Sequence, residues 1–217
     1  MCRIPLNIIV TMLEKTYDLP ISQGTLVLFL KRASQYFGKP YKQILQEVRA
    51  APVKHADETG WRVNGINNWC WAFLKEDAVY YTIEETRGKG IPERIFKDCH
   101  PKDVLVRDDY PGYKKLSFVH QSCWAHLLRE SYKEVTQKTV SEEMKKLHQQ
   151  LKDIYAQLEQ ATDKPFIKEE RLKSHGTLLK QLQSLITTAY TAEDAKRIQH
   201  RIASQTFSRP CFMRTYR

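Results

Sequence analysis

Between residues 53 and 83 the chain reads as three short strands joined by two tight turns, and that run constrains the fold more than any other feature. Residues 53–59, 68–74 and 78–83 are rich in Val, Trp, Tyr and Phe, which fit a pleated, half-buried surface. Asn64-Gly65 and Lys75-Glu76-Asp77 are the turns between them, so the three strands form an antiparallel meander. A short helix follows at about residues 92–98, with Pro92 in its first turn. Val104-Leu105-Val106 reads as a buried strand, broken by Pro111-Gly112, and residues 118–122 as a fifth strand. Trp124 opens a helix that runs through Leu128 toward Val135.

The flanks of this run are helical. Over residues 1–52 a helix near residues 8–17 precedes a second with Ser22 as its N-cap and Leu26, Leu28, Phe29, Leu30 and Ala33 as its apolar face. Gly38 and Pro40 stop that second helix. Helix, short turn and helix with a basic end (Lys31, Arg32) read either as a DNA-reading helix-turn-helix or as a structural pair packed on the next domain. From Ser141 the pattern is purely helical. Met144, Leu147, Leu151, Ile154 and Leu158 alternate spacings of three and four, the seam of an antiparallel hairpin or of an intermolecular zipper. A second helix of this part covers about 165–189, and a third starts near Glu193 with Ala195, Ile198 and Ile202. Residues 139–205 therefore form a helical hairpin or insertion, and 206–217 an irregular tail with Arg209, Arg214, Arg217 and no acid.

Composition narrows the class. A chain of 217 residues with 41% hydrophobic content can bury a real core as one domain with appendages, which excludes wholesale disorder. Its five cysteines are odd in number and irregular in spacing, which fits a reducing cytoplasm better than a disulfide framework. No apolar run approaches the roughly 20 residues of a membrane helix. The net charge of +10 points to a polyanionic partner, nucleic acid before membrane. Residues 1–50 carry 7 basic and 3 acidic residues, 51–123 carry 11 of each, and 124–217 carry 17 and 11. An acid-rich middle between basic flanks suits a protein that holds cations and phosphate together.

The order of elements over residues 53–138 is that of an α/β, ribonuclease H-like fold, a mixed five-stranded sheet with helices, here lacking its last helix. That order sets the first strand beside the fourth. Asp57 lies on the first and Asp108 at the end of the fourth. Two carboxylates brought together repel unless cations hold them. Mg²⁺ takes one or two carboxylates plus phosphate oxygens, and two ions about 4 Å apart support phosphodiester chemistry. Strand alternation puts His55, Asp57 and Thr59 on one face and Glu58 on the other, which makes Glu58 the poorer ligand. Asp109 adjoins Asp108 and stays open. Cys123-x-x-His126 has metal-ligand spacing that Cys99-His100 would complete for zinc, although packing is the simpler role for Cys123. His126 approaches the same face as a phosphate contact or a partner of Asp108. Lys54, Arg62, Arg107 and Arg129 are candidate phosphate contacts. Trp61, Trp69, Trp71 and Trp124 either stack on bases or fill the core.

Four stretches carry a family resemblance. His55-Ala56-Asp57-Glu58-Thr59-Gly60-Trp61-Arg62-Val63-Asn64-Gly65, Leu105-Val106-Arg107-Asp108-Asp109-Tyr110-Pro111-Gly112-Tyr113 and Gln121-Ser122-Cys123-Trp124-Ala125-His126-Leu127-Leu128-Arg129 resemble signatures of the insertion-sequence 66 family of bacterial transposases. Leu19-Pro20-Ile21-Ser22-Gln23-Gly24-Thr25 is similar to the segment before that family's catalytic domain. The resemblance runs from about residue 5 to 135, and the helical part to about 205 resembles the family's insertion. It implies a DDE-type transposase that uses Mg²⁺ or Mn²⁺ to hydrolyse a phosphodiester at a transposon end, after which the freed 3′-hydroxyl attacks target DNA. Asp57 and Asp108 match the first two acids. The third, a Glu in Asn-Asn-x-x-Glu-Arg, has no match: Glu93-Arg94 and Glu170-Arg171 lack the paired Asn. The chain is thus expected to be a fragment cut at both ends, with little or no transposition by itself. The uncovered sheet face of such a fragment implies marginal solubility. The implied partners are DNA and either further copies or other transposase subunits, in a bacterial cytoplasm at the nucleoid. The alternative is a non-catalytic DNA-binding or dimerisation protein.

Overall fold

The computed structural model describes residues 4–163 and 168–206, without the side chains of 161–175 and 205–206. The basic tail beyond residue 206 lies outside the described residues. The chain divides into two compact units, Met1–Gln46 and Glu47–Arg217.

In the first unit α1 (Leu6–Tyr17) lies against α2 (Gln23–Tyr36). The Ser22 hydroxyl accepts the Thr25 N–H at 3.0 Å and starts α2 as an N-cap. Two expectations are corrected. Leu28, Phe29 and Leu30 are all more than half exposed, not a packed face. Three consecutive helical residues point about 100° apart, so one interface cannot cover them all. Gly38 and Pro40 also do more than stop a helix: they open α3 (Gly38–Ala50), with Pro40 in its first turn.

The second unit holds the sheet: β1 (Val53–Val63), β2 (Ile66–Lys75), β3 (Ala78–Glu84), β4 (Val104–Arg107) and β5 (Val119–Ser122), in the order β3-β2-β1-β4-β5. The first three are antiparallel neighbours, whereas β4 runs parallel to both β1 and β5. Asn64 (φ 51°) and Gly65 (φ 80°) make the β1–β2 turn, with two residues in the left-handed region as a tight hairpin turn requires. β1 and β2 run further than the sequence indicated, pairing out to Val63 and Ile66.

Alternation sorts the two faces. Lys54, Ala56, Trp71, Phe73 and Leu105 are buried on one. Phe96, which follows α4 (Gly90–Ile95), and Tyr113 of α5 (Pro111–Lys114) complete that core. α5 stands where Pro111-Gly112 was read only as a break. Lys54 is fully buried, with its ammonium on Asp103 at 2.6 Å, so it belongs to this core and offers nothing to a phosphate. On the face that bears Asp57, Tyr81 and Ile83 of β3 are more than half exposed.

α6 (Trp124–Val135), α7 (Glu142–Asp163), α8 (Lys168–Thr187) and α9 (Glu193–Thr206) build a second core. All five seam residues from Met144 to Leu158 are buried there with Leu127, Leu182, Ala195, Ile198 and Ile202. The seam thus packs inside this chain, in a bundle that includes α6 and is larger than a hairpin.

Two carboxylates stitch the bundle's loops. Asp194 takes the Ser141 N–H and hydroxyl. Glu143 takes the N–H groups of Ala192 and Thr191 and the Thr191 hydroxyl at 2.8–2.9 Å, which holds its carboxyl below the ordinary range. A lowered folded value makes this contribution complete above the ordinary carboxylate range, and it fades as pH falls through the folded value. Glu143→Gln is therefore expected to lower Tm at neutral pH, and the gap to the parent to narrow progressively as pH falls below the ordinary carboxylate range. A gap independent of pH in thermal melts would show that the charge is not what matters.

Candidate functional site

The register of β1 on β4 places the two acids. Val53 pairs with Val104, Lys54 with Leu105 and His55 with Val106. Continued by two residues, that register sets Asp108, just past the end of β4, level with Asp57 in the middle of β1, on the same face. Their charges reach the same neighbours: both help to raise His126 and both push up the Tyr113 phenol.

Each carboxylate is tethered by one oxygen. Asp57 Oδ1 accepts the N–H of Glu58 at 2.9 Å, and Asp108 Oδ1 accepts the N–H of Tyr110 at 2.9 Å. Among the described residues the second oxygen of each takes no hydrogen bond. Asp57 is half exposed. Asp109 is turned to Lys114 (2.9 Å) and Arg107 (3.7 Å).

β5 ends at Ser122, level with Arg107, and leads directly into α6. Cys123 occupies the N-cap position, and His126 one turn on brings its Nε2 to 3.8 Å from Asp57 Oδ1. Cys123 beside it lifts the imidazole above its ordinary value against partial burial, and the charges of Asp57 and Asp108 add to that. Burial pushes the Cys123 thiol up, but the nearby His126 imidazole and the N–H groups of the helix start bring it below its ordinary value. Arg129, exposed, follows His126 by three residues and so shares its helix face.

Other candidates lie elsewhere. Arg107 is nearly buried on the opposite face, with Nη1 on the Asp108 carbonyl (2.7 Å) and Nε on His120 (3.4 Å). Arg62 sits five residues beyond Asp57, roughly 16 Å along the strand, and caps the Gly65 carbonyl. Trp71 and Trp124 are core residues, Trp61 is partly exposed, and Trp69 carries the Arg87 guanidinium on its ring. The zinc arrangement does not form. Cys99 donates to the Arg49 carbonyl, His100 Nδ1 accepts the Lys102 N–H, and among the described residues no three His, Cys, Asp or Glu side chains converge to hold a metal.

The residues behind the pair were not anticipated. Glu58, its side chain fully buried, takes Arg87 Nε (2.9 Å) and Nη2 (2.7 Å) on one oxygen and the Tyr113 hydroxyl (2.5 Å) on the other. Burial pushes this carboxyl up, the Tyr113 and Arg87 bonds oppose the shift, and Arg87 is held above its ordinary value. No local pattern reveals this group, because Arg87 and Tyr113 lie 29 and 55 residues from Glu58.

The family model described as Transposase IS66 family matches residues 2–210. The chain belongs to that family. No curated protein matches it. The match takes in both units of this IS66-family chain: the N-terminal helices of the first, and the sheet and helical bundle of the second. Among the described residues no helix is long and apolar enough to cross a membrane.

Proposed function

We propose that this chain carries the catalytic face of a DDE-type transposase on a ribonuclease H-like sheet. The observation that carries the reading is the β1–β4 register, which sets Asp57 and Asp108 side by side on a partly open sheet face. The strand order β3-β2-β1-β4-β5, with one antiparallel meander and two parallel additions, supports it.

The donor set fits a hard divalent cation. Two carboxylates, each with one oxygen tied to the main chain and one left over, match the oxygen ligands that Mg²⁺ or Mn²⁺ takes alongside water and phosphate. Asp57 and Asp108 would hold the ion, and the ion would supply charge stabilisation to a phosphodiester. His126 and Arg129, which share one helix face, stand as contacts for a DNA phosphate; Arg62 reaches DNA further along the hairpin. Two aspartates satisfy one ion. The two-ion reaction needs one more oxygen ligand, and no third His, Cys, Asp or Glu joins the pair among the described residues. That observation favours a second reading, a protein that binds DNA or its own family members without cutting.

Titrating Mn²⁺ into the purified chain and following the free ion by electron paramagnetic resonance separates them. About one ion per chain, displaced by Mg²⁺, is expected. An absence of saturable binding would sink the catalytic-face reading and leave the second.

A further inference from the structure

The two aspartates are each held by one main-chain N–H, and both of those N–H groups lead back to Glu58. Asp57 Oδ1 takes the N–H of Glu58 itself. Asp108 Oδ1 takes the N–H of Tyr110. Tyr110 is fixed in turn by Arg87: its hydroxyl donates to the Arg87 carbonyl, and the Arg87 guanidinium lies on its ring, 4.4 Å from the centroid. Trp69 covers the guanidinium from another side at 4.9 Å. Glu58 then holds Arg87 through two N–H bonds to one oxygen, while its other oxygen takes the Tyr113 hydroxyl from the same turn as Tyr110. Gly112 completes the fit, since a Cβ there would overlap the Tyr110 ring.

We propose that Glu58, acting through Arg87 and Tyr110, is the positioning residue that sets Asp57 and Asp108 as a ready-made pair for a divalent cation. This rests on the metal-binding reading above. Glu58 projects from the opposite face of β1 and would not itself hold the ion. Two like charges on neighbouring chain segments drive each other apart, and a half-exposed carboxylate has rotamers to escape into. A site that must accept an ion without rearranging therefore needs its ligands fixed by supporting bonds. Here those bonds arrive on Oδ1 of each acid, and Oδ2 of each would be the oxygen left to hold an ion. Packing of the fold alone needs none of this: an apolar side chain at position 58, against Trp71, would fill the same space without burying a charge.

The test uses the whole chain and two readouts. Glu58→Gln weakens the hold on Arg87, and Tyr110→Phe removes one hydroxyl while keeping the ring. Amide hydrogen exchange at Tyr110 reads the brace without metal. The Mn²⁺ dissociation constant reads its purpose. Both variants are expected to exchange the Tyr110 amide roughly 10-fold faster while α7 amides keep their protection, and to bind Mn²⁺ roughly 10-fold more weakly. Arg87→Lys, which keeps the charge but loses the planar fork, should behave like Glu58→Gln. Parent-like exchange in folded variants overturns the brace. Faster exchange with unchanged Mn²⁺ affinity overturns its positioning role. If Mn²⁺ binding by the parent does not depend on Asp57 and Asp108, the metal reading and the positioning role that rests on it both fail, while the exchange result still decides whether the brace exists.

Discussion

Replacing Trp71 by alanine should cost the sheet about 3–5 kcal/mol, the range for truncating a fully buried large aromatic. Trp71 has no exposure and packs against the rings of Tyr110 and Tyr113 in the site's support. It stacks parallel on Phe73 at 5.9 Å and meets the edges of Tyr110 and Tyr113 at 6.4 and 6.1 Å. Its indole N–H donates to the Thr86 carbonyl, one residue before Arg87. With a urea dependence of about 1–3 kcal/mol per molar, the midpoint should fall by more than 1 M. Trp61→Ala, on the exposed hairpin, should stay within about 0.5 kcal/mol of the parent. Urea unfolding followed by fluorescence compares the two, and equal losses would mean that the core is not centred on Trp71.

The sheet was legible in the sequence because its signals are local. Alternating β-formers mark β1 to β3, and Asn64-Gly65 names its own turn by needing two left-handed residues. The bundle core was legible for the same reason: its three-and-four spacing returns each apolar side chain to one helix face, and all five seam residues are buried. Punctuation misled where one residue served two elements. Gly38 and Pro40 follow α2 and begin α3, and Pro111-Gly112 lie beyond the end of β4 at Arg107 and begin α5. Length misled as well, since Lys54 and Arg107 are close to the acids in sequence yet face the opposite side of the sheet. The two aspartates could be named from their motifs. The group behind them could not, because Glu58, Arg87 and Tyr113 meet only once the meander and the β4–α5 turn have folded onto one face.

Asp57→Asn and Asp108→Asn should each weaken Mn²⁺ binding by more than about 100-fold, since loss of a supporting bond alone costs 10–100-fold at metal sites. The double variant should lose little more than either single one. An ion held by two protein carboxylates does not keep half its affinity when one is gone, so the two losses are coupled and not additive. Stability should move the other way. The acids sit level on neighbouring strands, and each bears on His126 and Tyr113, so removing one charge relieves repulsion between them. Tm is therefore expected to hold or rise slightly in each single variant while metal affinity falls. That opposition separates a ligand pair from two ordinary surface charges: ordinary charges would leave Mn²⁺ affinity unchanged, and structural ones would lower Tm. Thermal melts and Mn²⁺ titrations on the same three variants decide between these outcomes, and additive small losses in affinity would reject the shared site.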